Sequence, residues 1–203
     1  MSNTFAPFGF SQVGGNAGAA PNFEQAAYPI LYSDSTKIFT GDPVKLASTG
    51  YITAWTASTG VSQLFGVFCG CEYLSTSQSR IVWSPYWPGS DVAAGAQSSV
   101  VGYVVPIAPT TSGRFLVQTG NSSTTAVAVD QGYVGQNSDV AMGTGNTLNG
   151  RSGAYLDIST FGTTSTLPFR IIGLYQGVGN GSDATTANNW VIVAANTSQT
   201  TGI

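Results

Sequence analysis

The sequence predicts an all-β fold, with a jelly roll, a β-barrel or a β-sandwich as its body. About ten short apolar runs, rich in β-branched and aromatic residues, follow one another at intervals of roughly 10–15 residues, and Gly and Pro mark turns between them. No segment repeats apolar residues at the helical period of about 3.6 over three turns. A chain of 203 residues is long enough to enclose one large core. Together these observations favour one β-rich domain.

The first 27 residues differ from the rest, and we expect them to form an extended N-terminal arm on a single domain of residues 28–203. They mix phenylalanines with prolines and a small-residue stretch, and they show neither strand nor helix periodicity. Small residues cannot build a core, whereas phenylalanines favour burial, so the arm should pack on its own domain or on another subunit. The alternative is a loose chain terminus. The phenylalanines concerned are Phe5, Phe8, Phe10 and Phe23.

The apolar runs of the body give the predicted strands. In the run at 63–74, Gly66 and Gly70 allow close packing or a β-bulge. In the run at 80–90, Pro85 and Pro88 force an edge strand or a loop, because proline cannot donate to a sheet. The Gly-rich segment 132–150 is predicted to be a connection. The other predicted strands lie at 26–32, 38–46 (with a turn at 41–43), 50–55, 98–109, 114–120, 152–160, 167–176 and 190–196.

Charged side chains are rare in this chain. They make up 7% of the residues, six Lys or Arg and nine Asp or Glu, against about 25% in ordinary globular proteins. They are spread singly and give a net charge of −3, so the basic patch that nucleic-acid binding requires is missing. An uncharged polar surface of Ser, Thr, Asn, Gln and Gly suits a protein whose surface is largely covered by partners in an assembly. The alternative is simply a β-rich protein with polar loops.

The sequence also limits where the protein acts. No apolar run approaches the roughly 20 residues of a membrane span, so no membrane partner is expected. The first residues lack the basic and apolar regions of a secretory signal, which favours synthesis in the cytosol.

The residue types argue against catalysis. There is no histidine, which excludes Ser–His–Asp and Cys–His mechanisms and histidine-dependent metal sites. Cys69 and Cys71 are predicted to be small buried residues on one face of a core strand, since a lone C-x-C supplies too few ligands for zinc. The only glutamates are Glu24 and Glu72, and they are far apart in sequence. We therefore expect no enzymatic activity, no cofactor and no metal.

The order of the segments resembles a known group of proteins. APFGFSQV, AAYPI, IFTGDPVKL, LFGVFCGCEY, SPYWPGS, RFLVQ, VGQNSDV, GRSGAYLDIST, LPFRIIGLYQ and WVIVAAN follow one another over residues 5–195. This order resembles the capsid decoration, or cement, proteins of tailed phages. The likeness lies in short, non-catalytic pieces, so its specificity comes from their order and spacing.

The resemblance implies a β-barrel or jelly-roll body on the outside of a bacteriophage head. There it would bind the major capsid protein, stabilise the capsid and form part of the virion after synthesis in the bacterial host cytoplasm. Such proteins act as homo-oligomers, with trimers the commoner arrangement and dimers also found.

Aromatic residues are the candidate contacts for the capsid or for another subunit, because aromatic side chains are enriched where protein interfaces bind most strongly. Besides the arm phenylalanines, the segment VWSPYWPGS supplies Trp83, Tyr86 and Trp87, with packing in the protein's own core as the alternative. A second hypothesis is another virion binding module, such as a tail-spike piece or a carbohydrate-binding β-sandwich. In that case Trp55, Trp87 or Trp190 would stack on sugar rings.

Overall fold

The computed structural model describes residues 2–14, 20–21, 24–56, 64–107, 113–123 and 125–196, and it confirms the predicted all-β fold. In this part of the chain no helix is long and apolar enough to span a bilayer. Within the described ranges, 3-10 helices occur at Gln97–Ser99 and Gln131–Tyr133. The strands are β1 (Ser11–Gly14), β2 (Ala26–Pro29), β3 (Ile38–Phe39), β4 (Pro43–Leu46), β5 (Ile52–Ala54), β6 (Gly66–Ser75), β7 (Arg80–Ser84), β8 (Tyr86–Trp87), β9 (Val101–Pro106), β10 (Arg114–Gly120), β11 (Asn137–Ala141), β12 (Tyr155–Gly162), β13 (Phe169–Leu174) and β14 (Trp190–Ala195).

Five strands form a closed barrel in the order β10, β12, β11, β13 and β14, with β14 pairing back to β10. All of these pairings are antiparallel except β10–β12. One edge of β10 is shared, because β1 pairs with residues 114–116 and β12 with residues 119–120. The N-terminal segment therefore adds a strand to the barrel wall.

The barrel interior is filled by alternate residues of its strands. Along β14, for example, Val191, Val193 and Ala195 are buried while the residues between them are partly exposed. This period of two is what a strand with one face in a core requires. Large side chains from the other strands complete this first core, among them Phe115, Val117, Leu156, Phe169 and Ile171.

A second sheet has the order β2, β9, β6, β4 and β5, and β7 pairs with β6 beyond the end of β4. A bridge between Ile30 and Ile52 brings its two outer strands together, so this sheet also curls on itself. The small β3–β8 sheet packs beside it. The second core lies within this curl and includes Ile30, Ile38, Ile52, Phe68, Trp87 and Val104.

Strand β6 contributes to both cores. Val67 belongs to the first core and the adjacent Phe68 to the second, as expected for successive side chains on a strand. At Gly70 the register with β9 shifts and φ is +128°, which is the β-bulge that the sequence suggested. Close packing at the other glycine is also confirmed, because a Cβ on Gly66 would lie 2.2 Å from Cγ1 of Val104.

The bulge changes where the two cysteines point. Cys69 packs against the first core and Cys71 lies in the second, so the prediction that they share one face is wrong. An extra residue in the strand reverses the alternation at that point. Both are free thiols, and burial raises the pKa of each, that of Cys71 to about 12 with a further contribution from Glu72. Their reactive thiolate forms are therefore disfavoured.

The segment Thr40–Asp42 joins the two halves of the molecule. The backbone of Gly41 accepts from the amide of Phe10 in the arm and donates to the carbonyl of Phe68 in β6. Thr40 accepts from the amide of Ser152, in the loop before β12. The predicted turn at 41–43 is thus also the point at which arm, barrel and second sheet meet.

Two strands were not predicted. β1 lies in the segment expected to be an arm without strand structure, and β11 lies in the Gly-rich segment expected to be a connection. β11 has no apolar alternation because Asn137 and Ser138 occupy buried positions in it. Ser138 Oγ donates to the carbonyl oxygen of Asp157 at 3.0 Å, which makes burial of this polar residue favourable. The expected boundary after residue 27 falls inside β2.

Candidate interaction surface

The arm phenylalanines pack on the barrel of the same chain. Phe10 is buried and stacks on Phe169 with ring centroids 4.4 Å apart. Phe8 meets Trp190 edge to face at 4.9 Å. Phe5 meets the ring of Tyr155 at 5.3 Å but stays 49% exposed. Phe23 lies outside the described residues.

Polar contacts fix the same segment. The buried side chain of Gln118 accepts from the amide of Ala6 at 2.8 Å and donates to the carbonyl of Thr4 at 2.8 Å. Asn3 Nδ2 donates to the carbonyl of Asp183 at 2.8 Å. Residues 2–14 are therefore part of the folded body, and only Phe5 among the described arm phenylalanines has substantial surface left for a partner.

The segment VWSPYWPGS divides between surface and interior. Trp83 on β7 is 59% exposed, whereas Trp87 on β8 has no exposed surface and donates from Nε1 to the carbonyl of Asp34 at 2.9 Å. Tyr86 is half-buried and stacks on Phe39. The chain turns at Pro85 from the outer edge strand into the core. Trp87 and Phe10 are thus unavailable for the predicted interface, because a ring buried in the protein's own core cannot contact a partner.

Trp83 stands on one continuous surface of the second sheet, the outer sheet face, which four neighbouring strands form. Strand register places its members in three rows across β7, β6, β9 and β2. Residues of the opposite parity, such as Tyr73 and Val104, point into the second core. The members of the outer sheet face are Ala27, Pro29, Gly70, Glu72, Leu74, Ile81, Trp83, Val101 and Tyr103.

The outer sheet face is mostly apolar. Ile81 is 60% exposed and Trp83 is 59% exposed, although both are large apolar side chains. The indole of Trp83 lies across Gly70, where a Cβ would come within 3.0 Å of its Cζ2 atom. A glycine at this point is what allows the ring to lie close to the sheet.

Glu72 is the only member of the outer sheet face with a carboxylate. Burial raises the pKa of Tyr103, and the nearby carboxylate of Glu72 raises it further. The face therefore offers one negative charge beside a phenol within an otherwise uncharged surface.

The tryptophans expected to stack on sugars are not available for it. Trp55 lies in the first core and Trp87 in the second. Trp190 is half-buried between Phe8 and Tyr175. Because their rings are covered, the prediction that Trp55, Trp87 or Trp190 stacks on sugars is corrected. Trp83 is the tryptophan whose ring is exposed.

Two carboxylates inside the body are occupied by structural hydrogen bonds. Asp42 accepts from Ser152 Oγ and from the amide of Phe39, while burial raises its pKa to about 6. Burial would also raise the pKa of Asp157, but hydrogen bonds from Ser122 and Ser159 outweigh it and lower that pKa. Among the described residues no three His, Cys, Asp or Glu side chains are grouped so as to hold a metal ion.

Comparisons of the chain with protein-family models, with curated proteins and with solved structures found no match. Function is therefore inferred from this chain's own residues and from their geometry.

Proposed function

We propose that the chain is a non-enzymatic structural protein of a tailed-phage virion, which binds the outer surface of the head as a decoration protein. Its partners are the major capsid protein and further copies of itself, without nucleic acid or membrane. The outer sheet face is its contact with the capsid. It reaches the capsid surface after synthesis in the bacterial host cytoplasm.

The observation that carries this proposal is the exposure of Ile81 and Trp83 side by side on a mostly apolar sheet face. Single exposed apolar residues are ordinary, but a contiguous patch on a soluble protein marks an interaction site. Tryptophan in particular gives protein contacts much of their binding free energy. The scarcity of charged side chains supports the same role, because charged residues are depleted at the centres of interfaces.

Binding to expanded, undecorated heads tests the proposal. The unmodified chain should add to the heads in a fixed ratio per capsid protein, measured by co-sedimentation and densitometry. Trp83→Ala should weaken binding about 30-fold, since loss of a central tryptophan costs about 2 kcal/mol and 1.4 kcal/mol corresponds to a factor of ten.

The matched control is Val178→Ala, because Val178 is apolar and 99% exposed but lies on a loop beside residues 2–4, away from the outer sheet face. It should bind heads as the unmodified chain does. Equal binding by the two variants would exclude the outer sheet face as the capsid contact. Phe5→Ala measures the share of the arm without removing the residues that fill the barrel.

A carbohydrate-binding module is the second candidate, and the pairing of Trp83 with Glu72 and Tyr103 favours it. An exposed aromatic ring can stack on a sugar, and a neighbouring carboxylate and phenol can bind its hydroxyl groups. A glycan array would show binding that Trp83→Ala abolishes and that Glu72→Gln weakens. Such a result, together with no binding to heads, would replace the capsid proposal.

A further inference from the structure

We propose that two copies of this chain pair antiparallel along the free edges of their β7 strands, centred on Val82. The pairing would join the two outer sheet faces into one surface that contains both copies of Ile81 and Trp83. It concerns the free protein and does not depend on capsid binding.

The backbone of β7 has one open edge. On its other side it pairs with β6 through the register Leu74–Ile81, Tyr73–Val82 and Glu72–Trp83. Among the described residues, Ile81, Val82 and Trp83 form no backbone hydrogen bond except to β6. An edge strand with unpaired amides and carbonyls is a template for another strand.

The side chains of β7 lack the features that normally block such pairing. Natural edge strands carry charged residues or prolines along their length. In β7 the only charge is Arg80 at its first position, where the guanidinium donates to Gln78 Oε1. Pro85 follows the last residue and so limits the pairing to this strand.

The sequence of β7 is complementary to itself in one register. In an antiparallel pair only side chains on the same face can stand opposite each other, so Ile81 must oppose Ile81 or Trp83 of the second copy. Centring on Val82 uses all five residues and places each Ile81 against a Trp83. It also sets Arg80 against Ser84, so no like charges meet.

A second copy is the partner that this geometry fits. A two-fold contact uses the same patch on both molecules, and in this register Ile81 of each copy meets Trp83 of the other. Aromatic and β-branched residues are a favourable cross-strand combination, and the two-fold axis repeats it. The product is a dimer, whereas the resemblance to decoration proteins favours a trimer.

Disulfide trapping tests the register. Opposed residues in antiparallel strands have Cα atoms about 4.5–5.5 Å apart, within the range that a disulfide spans. Val82→Cys should therefore form a covalent dimer under mild oxidation, read on a non-reducing gel. The matched control is Leu148→Cys, since Leu148 is 96% exposed and a thiol there meets others only by collision.

Val82→Cys is expected to cross-link at least tenfold faster than Leu148→Cys, although Val82 is the less exposed site. Adding Ile81→Lys to Val82→Cys should remove this advantage, because lysine opposes the pairing at an exposed position. Cys69 and Cys71 are present in both variants and contribute the same background to each. Equal rates for Val82→Cys and Leu148→Cys would overturn the proposal.

Sedimentation velocity of the natural chain gives a second measurement that does not require an introduced cysteine. The natural chain should show a concentration-dependent dimer that Ile81→Lys abolishes while its melting temperature stays unchanged. A monomer at every concentration, or a trimer, would overturn the pairing. If a strictly monomeric protein binds heads, the capsid proposal holds and the pairing proposal fails. If the protein dimerises but does not bind heads, the pairing proposal holds and the capsid proposal fails.

Discussion

At the scale of single residues, the carboxylate of Asp42 shows how a buried charge is tolerated in this chain. Ser152 Oγ lies 2.5 Å from Oδ1, and the amide of Phe39 lies 2.7 Å from Oδ2. These hydrogen bonds satisfy the carboxylate but do not fully offset its removal from water, so its pKa rises from 3.8 to about 6. Its ionisation therefore opposes folding at neutral pH.

Asp42 should make the protein more stable as the pH falls. The folded state binds its proton more tightly than the unfolded chain, so this group adds stability from about pH 7 down to about pH 4. At 1.36 kcal/mol per pH unit, the difference between 3.8 and about 6 corresponds to about 3 kcal/mol. The added stability is lost as the pH rises through about 6.

Urea unfolding of the natural chain and of Asp42→Asn between pH 4 and pH 8 measures this effect. The difference between their free energies of unfolding should change by up to about 3 kcal/mol across that range. Asp183→Asn is the control with the opposite sign, because hydrogen bonds from Thr185 lower the pKa of Asp183. Parallel curves for Asp42→Asn and the natural chain would contradict the prediction.

A single glycine determines the form of the outer sheet face. Gly70 has φ of +128°, and a Cβ there would lie 3.0 Å from Trp83 and 3.1 Å from the carbonyl oxygen of Ser84. Gly70→Ala should therefore lower the free energy of unfolding by about 1–3 kcal/mol and displace the indole. Gly173→Ala, with no atom within 4 Å and no positive φ, should change it little. Thermal melts and tryptophan fluorescence of the two variants check this.

At the scale of elements, the N-terminal segment contains a strand of the barrel wall, although its sequence lacks the alternation of a strand. β1 is four residues long, and its burial pattern shows no strict alternation. Its position depends on pairing with β10, on the Gln118 side chain and on the ring of Phe10 in the first core. Truncation of the segment would therefore test folding as much as partner binding.

Phe10→Ala and Phe5→Ala separate these two roles of the segment. Loss of the buried Phe10 ring should cost about 3–5 kcal/mol, because it leaves a cavity beside Phe169. Loss of the half-exposed Phe5 ring should cost about 1 kcal/mol or less. Denaturant unfolding measures both, and a small effect of Phe10→Ala would show that the arm is not part of the barrel in solution.

At the scale of the whole molecule, two cores are held together by shared elements. Adjacent residues of β6 enter different cores, and Trp55, which follows β5 of the second sheet, lies in the first core. The segment Thr40–Asp42 links the arm, the barrel and the second sheet through backbone hydrogen bonds. This degree of sharing makes independent unfolding of either half unfavourable.

The protein should therefore unfold in one cooperative transition despite its two sheets. Calorimetric and van't Hoff enthalpies should agree, and hydrogen exchange should give the same opening free energy for β9 and β14. Ser152→Ala should lower both opening free energies equally, by about 1–3 kcal/mol, because it removes the hydroxyl donor to Oδ1 of the buried Asp42 carboxylate and leaves only the Phe39 amide on Oδ2. Selective loss of protection in one sheet would contradict this.

Local pattern in the sequence determined the fold class and most strands. The run at 114–120 is β10, the run at 190–196 contains β14, and the bulge at Gly70 and the edge character of β7 follow from glycine and proline positions. These features depend on near neighbours in the chain. That is why alternation and turn residues were enough to predict them.

Only the tertiary structure decided which aromatic residues are buried and which polar strands exist. Trp83 and Trp87 are four residues apart, yet one is on the surface and the other in a core, because a turn at Pro85 separates them. β11 is a strand because partners from β12 and β13 satisfy its polar residues, which its own composition does not show. Burial depends on contacts between residues distant in sequence, and these arise only when the sheets close.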